Sequence, residues 1–439
     1  MDKFFTAVRL DEDLCKGCIN CIKRCPTQAI RVRNGKAVIT KKFCIDCGEC
    51  IRICPHHAKL AVYDSLDVMN DYEYTVALPA PSLYGQFNNL EDINIVLTAL
   101  KRLGFDDVYE VSGAAELASE LSRKYVKDHP EKWPLISTAC PSVVRLIRAR
   151  FPNLIEHLLP IKAPVDIAAA IARKRAMKAT GLPSEKIGII FISPCAAKVS
   201  AVKTPLGYEK SDVDAVVAIK DVYPRLLNFM KDIEENQEIE DLTISGKIGI
   251  SWGGSGGEAG GLLTDSYLAA DGIENVIRVL EDLEDQKIPA LEFIELNACN
   301  GGCVGGVLTV ENPFVAKVKL KRLRKYQPVA RNHIKKEEIQ DPFWTGGVQY
   351  EPVFNLGSDI KESIEMMAKV EELCDKFPGL DCGSCGAPTC KALAEDVVRG
   401  VASEKDCIHI LRQYIHKISD EISTLDSHHT VMPEERNKD

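Results

Sequence analysis

Between residues about 67 and 366, apolar positions come in short dense runs separated by longer amphipathic stretches. Residues 74–78, 186–192 and 246–250 are such runs. Each is bounded by turn formers, and each reads as a buried strand. Each then opens into a loop containing Pro or Gly: Pro79-Ala80-Pro81-Ser82, Ser193-Pro194-Cys195 and Ser251-Trp252-Gly253-Gly254. Helical periodicity follows, as over residues 92–103 and 161–178. Strand, loop and helix in that order predict an α/β domain with parallel sheets and ligands at the carboxyl ends of the strands.

The flanks are patterned differently. Residues 31–39 alternate around Asn34-Gly35, a hairpin signal, inside a small α+β region of residues 1–66. Residues 391–403 carry helical periodicity within a compact helical module of residues 367–412. The tail, 413–439, continues a helix over residues 408–425 and then turns polar and proline-containing, so its end is expected to fray. The chain is thus expected to be multidomain.

Composition narrows the classes. A hydrophobic fraction of 45% and a charged fraction of 27% over 439 residues support a sizeable core. A net charge of −9 argues against nucleic acid as the main partner. No apolar run approaches the ~20 residues that span a bilayer, and the first residues lack a secretory pattern, so a cytoplasmic protein is expected. In that compartment 17 cysteines are not a disulfide framework. Their clustering points to metal.

Eight cysteines form a doubled run: Cys15, Cys18, Cys21 and Cys25-Pro26, then Cys44, Cys47, Cys50 and Cys54-Pro55. This is the spacing of bacterial two-cluster ferredoxins, in which the fourth cysteine of each copy ligates the other cluster. On that rule Cys15, Cys18, Cys21 and Cys54 hold one 4Fe–4S cube, and Cys44, Cys47, Cys50 and Cys25 the other. Zinc also uses C-x2-C pairs, but the doubled spacing with trailing prolines disfavours it. Four more cysteines lie in the α/β region: Cys140-Pro141, Pro194-Cys195, and Cys299-Asn300-Gly301-Gly302-Cys303. The glycine turn brings two thiols to one side of a close-lying backbone, and the four together are set to close a third cube. Glycine-rich 253–257 lacks a following Gly-Lys-Ser/Thr, so backbone packed against a cofactor fits it better than a phosphate cradle. Cys382, Cys385, Cys390 and Cys407 form a fourth group. Cys374 falls in the apolar register of Ile364, Met367, Val370 and Leu373 and reads as a core thiol, with an alternative ligand role as the other option.

Thr138-Ala139-Cys140-Pro141, then Pro194-Cys195-Ala196-Ala197-Lys198, then Glu295-x3-Cys299-x3-Cys303 resemble the three signatures of the iron–iron (FeFe) hydrogenases. Residues 103–108, 162–164 and 255–259 also look like that family. The C-terminal group resembles the small 4Fe–4S domain of corrinoid iron–sulfur proteins and some hydrogenase-like proteins. The resemblance implies a ferredoxin-like domain, an α/β domain holding the H-cluster, and a helical 4Fe–4S domain. It implies that Cys303 bridges a cube to a two-iron unit carrying CO, cyanide and azadithiolate. Lys198 stands where the family lysine grips a cyanide, an ordinary surface lysine being the other reading. Ser255 and Gly256 stand where loop groups meet the cofactor.

The chain also departs from the family. Fast hydrogenases carry a proton-relay cysteine just before the first ligand, and Ala139 occupies that place. Leu121, Ser122 and Tyr125, with only Glu120 nearby, stand where family glutamates lie. Ala201 replaces the glutamate closing the second loop, and Ser193 and Asn297 replace pocket methionines. Ligands present without the relay resemble the sensory branch: a slow hydrogenase that interconverts H2 with protons and electrons and signals hydrogen or redox poise. No PAS-like module has room. Expected partners are H2, protons, a ferredoxin-type redox protein, a signalling kinase or phosphatase, and a second subunit. Two other functions fit the same residues: an ordinary ferredoxin-linked hydrogenase with another proton route, and a non-catalytic iron–sulfur assembly protein.

Overall fold

Every residue of the strand Ile187–Ser193 is buried, which makes it a central strand covered on both faces. In the computed structural model, which describes residues 5–331, 334, 338, 341–352, 356–357 and 359–428, it lies in a four-stranded parallel sheet. The order is Asp107–Val108, Tyr74–Pro79, Ile187–Ser193, Ala215–Ala218. A second parallel sheet has the order Tyr267–Asp271, Phe293–Asn297, Leu135–Ile136. Helices cover the first sheet. Ile93–Leu103 is capped by the Asp92 carboxylate on the Asn94 N–H at 2.9 Å and ends at Gly104. Pro164–Thr180 starts on a proline and stops at the left-handed Gly181. One core joins Ile93, Leu97 and Leu100 to Ile190, Ile192 and Val217.

The strands expected at 74–78 and 186–192 and the helices expected at 92–103 and 161–178 are present, the last beginning at Pro164. Residues 246–250 are not a strand. Lys247–Ser251 is a short helix. A Cβ at Gly249 would lie 2.0 Å from the Ser112 carbonyl oxygen, so this backbone packs flat on the helix Val111–Asp128. The Gly246 N–H turns to the Glu116 carboxylate, and Lys247 and Ile248 donate to the carbonyls of Pro328 and Val329. A five-residue apolar run does not separate a strand from a buried helical turn.

The chain forms two compact units: Met1–Leu14 with Thr40–Val353, and Cys15–Ile39 with Phe354–Asp439. The division runs through the doubled cysteine pattern. In the larger unit, Val8–Leu10 pairs antiparallel with Lys59–Ala61. In the smaller, the hairpin Ile30–Arg33/Lys36–Ile39 turns on Asn34 and Gly35, both left-handed. There too are the helices Ile360–Lys376, Cys390–Val398 and Ile408–His428, around a core of Val370, Leu373, Phe377, Leu393 and Ile410. The helix expected over 391–403 ends at Val398, followed by left-handed Gly400. Only the last turn of the register around Cys374 is buried: Val370 and Leu373 are covered, whereas Ile364 and Met367 are 64% and 53% exposed. Cys374 is half-covered. Residues 429–439 lie outside the described residues, as does the fraying expected there.

Candidate metal-cluster and proton site

The three cysteine loops leave the carboxyl ends of three strands. Cys140 follows Leu135–Ile136 and caps the helix Pro141–Arg150. Cys195 follows Ile187–Ser193 and precedes Ala196–Lys203. Cys299 and Cys303 follow Phe293–Asn297 on a turn whose Gly301 and Gly302 are left-handed. The loops clasp one another: Ser255 N–H donates to the Gly301 carbonyl and Val304 N–H to that of Gly253, both at 2.9 Å, and Leu308 N–H donates to that of Pro194 at 2.9 Å. A Cβ at Gly302 would lie 2.4 Å from the Ser255 nitrogen, and one at Gly306 2.1 Å from the Pro194 oxygen. Glycine is required there.

The four sulfurs are brought together. Burial pushes the Cys195 thiol up, and the charges of Cys299, Cys303 and Cys140 push it further, opposed by Lys198. Cys303 is pushed up to about 12 by burial, with Lys198 again opposing and Cys140 and Cys299 adding. Burial also raises Cys299. Thiols so desolvated and so close do not ionise without a cationic group among them, which is what iron supplies. Among the described residues no three His, Cys, Asp or Glu side chains close on a single metal ion.

Beside Cys303 lies a small cleft, partly open to solvent, lined by Ala139, Lys198, Glu258, Glu295 and Asn297 among others. Half-buried Lys198 lines the cleft, and its ammonium donates to the Ala139 carbonyl at 3.2 Å. Burial acts to lower its pKa, but the charges of Cys303, Cys195 and Cys140 outweigh that and raise it. The hydroxyl of Ser82, on the cleft wall, is buried without a hydrogen-bond partner. A fixed cation and an orphan hydroxyl suit a polar inorganic group carrying anionic ligands, so the residues fit the two-iron unit.

The Ala139 methyl is on this wall, and its N–H donates to Ser137 Oγ at 3.2 Å. Ser137 in turn donates to Glu258 at 2.5 Å. Burial pushes Glu258 up to about 8, with the Glu295 charge adding. Glu295 is also raised by burial, but it accepts from the Gly256 and Ala259 N–H groups, both at 2.9 Å, and from the Asn297 amide at 2.7 Å. Those donors favour a carboxylate on Glu295, whose charge in turn favours the protonated form of Glu258. The amides of Ser255 and Gly256 are therefore engaged by Gly301 and Glu295 and brace the turn. Ser193 Oγ accepts from the Cys195 N–H at 3.3 Å. Ala201 lines a neighbouring cleft with Thr138, Asp166 and Lys198. On the preceding helix Glu120 is exposed and Ser122 buried.

Within the larger unit the second cysteine motif is fastened to this site. Arg52 Nη2 donates to Cys299 Sγ at 3.0 Å and to the Gly305 carbonyl at 2.7 Å, while Nη1 pairs with Glu49 at 2.6 Å. A Cβ at Gly48 would meet Val307 at 2.5 Å. Burial raises the Cys44 thiol, and Cys50 and Cys47 add to it. Buried Asp46 accepts from the Ala7 and Val8 N–H groups, Ser200 and Arg145, anchoring the motif. Backbone amides reach the sulfurs of Cys25 (Ala29, 3.2 Å), Cys54 (Ala58, 3.3 Å) and Cys15 (Ala37, 3.5 Å). Cys18 and Cys21 flank the turn into the helix Asn20–Lys23. In the smaller unit Cys385 is raised by burial and lies near Cys407 and Cys382, and Cys374 lies near Cys390.

Residues 73–266 and 258–307 match the family model described as iron only hydrogenase large subunit, C-terminal domain, which covers more than half of the chain. The chain belongs to the iron-only hydrogenase family. Residues 7–55 of this hydrogenase-family chain match a 4Fe-4S dicluster domain and residues 377–409 a putative Fe-S cluster domain. Among curated relatives, the NADP-reducing hydrogenase subunit HndD of Solidesulfovibrio fructosivorans is 23% identical over 67% of this chain and 63% of its own length. Iron hydrogenase 1 of Clostridium pasteurianum is 25% identical over 71% of this chain and 66% of its own length. The chain thus spans less than two thirds of the length of either relative. The cytosolic Fe-S cluster assembly factor nar1 of Aspergillus flavus is 28% identical over 26% of this chain and 19% of its own length. A solved FeFe-hydrogenase HydA covers 59% of this chain and 86% of its own, at 15% identity and a TM-score of 0.45. No described helix of this family member is long and apolar enough to cross a membrane.

Sequence reasoning named the ligand thiols and Lys198 but singled out neither Ser137, Glu258 nor Arg52. Glu258 sits in a segment noted only for its likeness to the family, and nothing in the spacing shows it facing Ser137. Arg52 looks like any surface arginine until the Cys299 loop folds against it.

Proposed function

We propose that this chain is a slow FeFe hydrogenase serving as a sensor of hydrogen or redox poise. Cys140, Cys195, Cys299 and Cys303 would hold the cube of the H-cluster, Cys303 would also serve the two-iron unit, and Lys198 would pair with that unit's anionic ligands. When bound, that group supplies the site at which H2 is split and formed. The chain's own residues then set proton and electron traffic. The observation that carries the reading is Ala139 on the cleft wall beside Cys303 and Lys198: its methyl side chain has no proton to give or take. General acid–base steps contribute ~10²–10⁴-fold, so a chain keeping its ligands and losing its relay reacts with hydrogen and turns it over slowly. The Ser137–Glu258 pair, with a proton on Glu258 at neutral pH, supports a residual proton path along the same wall. Turnover of the matured protein and of Ala139→Cys tests this. A rise of about 10²-fold in proton reduction is expected, and no gain in a fully loaded variant overturns it.

Electrons reach the site through the second cysteine motif, whose Arg52 touches Cys299, with a ferredoxin-type protein as external partner and a kinase or phosphatase downstream. Seventeen cysteines grouped at cluster spacings rather than as a disulfide framework support a cytoplasmic setting. The nar1-type relatives match only a quarter of the chain; against a purely structural role stand the cleft, Lys198 and the orphan Ser82 hydroxyl.

The chain is also read as a homodimer. On the helix Ile408–His428, Ile408, Leu411, Ile415, Ile418, Ile422 and Leu425 repeat at alternating spacings of three and four, all between 40% and 65% exposed. That is an unfilled heptad seam with isoleucine at each first position and mostly leucine at the second, the pattern of a two-stranded coil with a second copy.

A further inference from the structure

In the smaller unit, the C-terminal cysteine loop is locked onto the first cysteine motif. Val32 N–H donates to the Gly386 carbonyl at 2.8 Å. Gly386 is left-handed, and a Cβ there would fall 2.0 Å from the Val32 oxygen, so the two backbones meet with no room for a side chain. Lys23 donates to the carbonyls of Asp381 and, at 2.8 Å, Pro388. Gly383, between Cys382 and Cys385, faces Lys23, Ile19 and Ile22: its Cβ would lie 3.2 Å from Lys23 Cε and 3.6 Å from each isoleucine. Those isoleucines directly follow Cys18 and Cys21 in the chain. Arg33 Nη1 donates to the Cys385 carbonyl at 3.1 Å. Behind the loop, Asp396 accepts from Arg31 at 2.6 and 3.2 Å and from Arg33 at 2.7 Å, its side chain 7% exposed. Removing one partner from so covered an ion pair is costly, so the docking is fixed rather than a loose tether.

Two cluster-bearing loops in van der Waals contact are placed for electron exchange. Charges of both signs surround the C-terminal loop, and the cations reach its cysteine-bearing backbone directly. Lys23 holds the carbonyl of Asp381, next to Cys382, and the Arg33 guanidinium donates to the carbonyl of Cys385. Asp381 turns its carboxylate to the Cys390 N–H at 2.6 Å. Hydrogen bonds and positive charge near ligand sulfurs favour the reduced form of a cluster.

We infer that the C-terminal module exchanges electrons directly with the cluster at Cys18 and Cys21, and that Lys23 and Arg33 raise its reduction potential, making it the electron-holding end of the chain. One electron leaves the first-motif cluster as one enters the C-terminal cluster, the supply being any low-potential one-electron donor such as dithionite. Lys23 and Arg33 are positioning residues. The inference rests on the reading that both sites hold clusters, and not on hydrogen turnover.

The test is a redox titration of the full-length, cluster-loaded protein followed by electron paramagnetic resonance. In the wild type, reducing both clusters is expected to broaden and speed the relaxation of both signals, and this interaction disappears in Cys385→Ser. Lys23→Gln and Arg33→Gln are expected to shift the C-terminal midpoint downward at unchanged iron content. Non-interacting signals, or a midpoint that stays put in both variants, overturn the inference. A Cys385→Ser protein that keeps the full wild-type iron overturns the cluster reading itself, a separate and distinguishable failure.

Discussion

Replacing Arg52 with glutamine removes a full positive charge 3.0 Å from the Cys299 sulfur while leaving an amide donor. Two unit charges at that separation attract by roughly 5 kcal/mol at an effective dielectric of about 20. The real effect is smaller: a cube spreads its charge over several sulfurs, and Arg52, 30% exposed, is already paired with Glu49. Discounting for these gives about 2 kcal/mol. At ~59 mV per ~1.4 kcal/mol for a one-electron couple, the midpoint of the central cube falls by roughly 80 mV. The sign is downward because a nearby cation favours the extra electron. The assay is a titration, followed by electron paramagnetic resonance, of protein reconstituted with iron and sulfide but without the two-iron unit. Arg52→Lys keeps the charge and is expected to shift less than half as far. A shift below about 20 mV in fully loaded Arg52→Gln refutes the idea that this contact tunes the central site.

Glu258 is raised by burial to about 8, so it holds its proton at neutral pH and surrenders it as pH rises through about 8. An infrared band of a protonated carboxyl is expected at pH 7, fading through that range and missing in Glu258→Gln, and proton reduction should fall over the same range. Linkage adds a second check. An acid with a raised folded pKa favours folding fully below its unfolded value and loses that contribution as pH rises through the folded one. The stability of the wild type relative to Glu258→Gln should therefore fall from about pH 4.5 to about 8 and level off above. Ile415→Lys with Ile422→Lys should halve the mass measured by light scattering at unchanged iron content. A wild type that is already monomeric, or a variant that stays dimeric, removes the coiled-coil reading.

The strands were legible where burial on both faces made them continuous apolar runs, as at Ile187–Ser193. The run at 246–250 was misread as a strand, because Gly249 packs backbone on backbone within a short helix and a missing Cβ leaves no mark on hydrophobic patterning. The gathering of Cys140, Cys195, Cys299 and Cys303 was legible from their place in turn-bearing loops after strands. The partners of Glu258, Ser137 and Arg52 were not. Glu258, Ser137 and Arg52 act through contacts made across the fold with residues more than a hundred positions away, and for Arg52 more than two hundred. The contact of Val32 with Gly386 likewise joins residues from opposite ends of the chain, which no local pattern announces.

The most direct measurement is the infrared spectrum of the anaerobically matured protein, recorded beside its hydrogen turnover. The account predicts bands of iron-bound CO and cyanide together with slow turnover. Fully iron-loaded protein that shows no such bands, or bands accompanied by turnover as fast as that of relay-bearing hydrogenases, would contradict it.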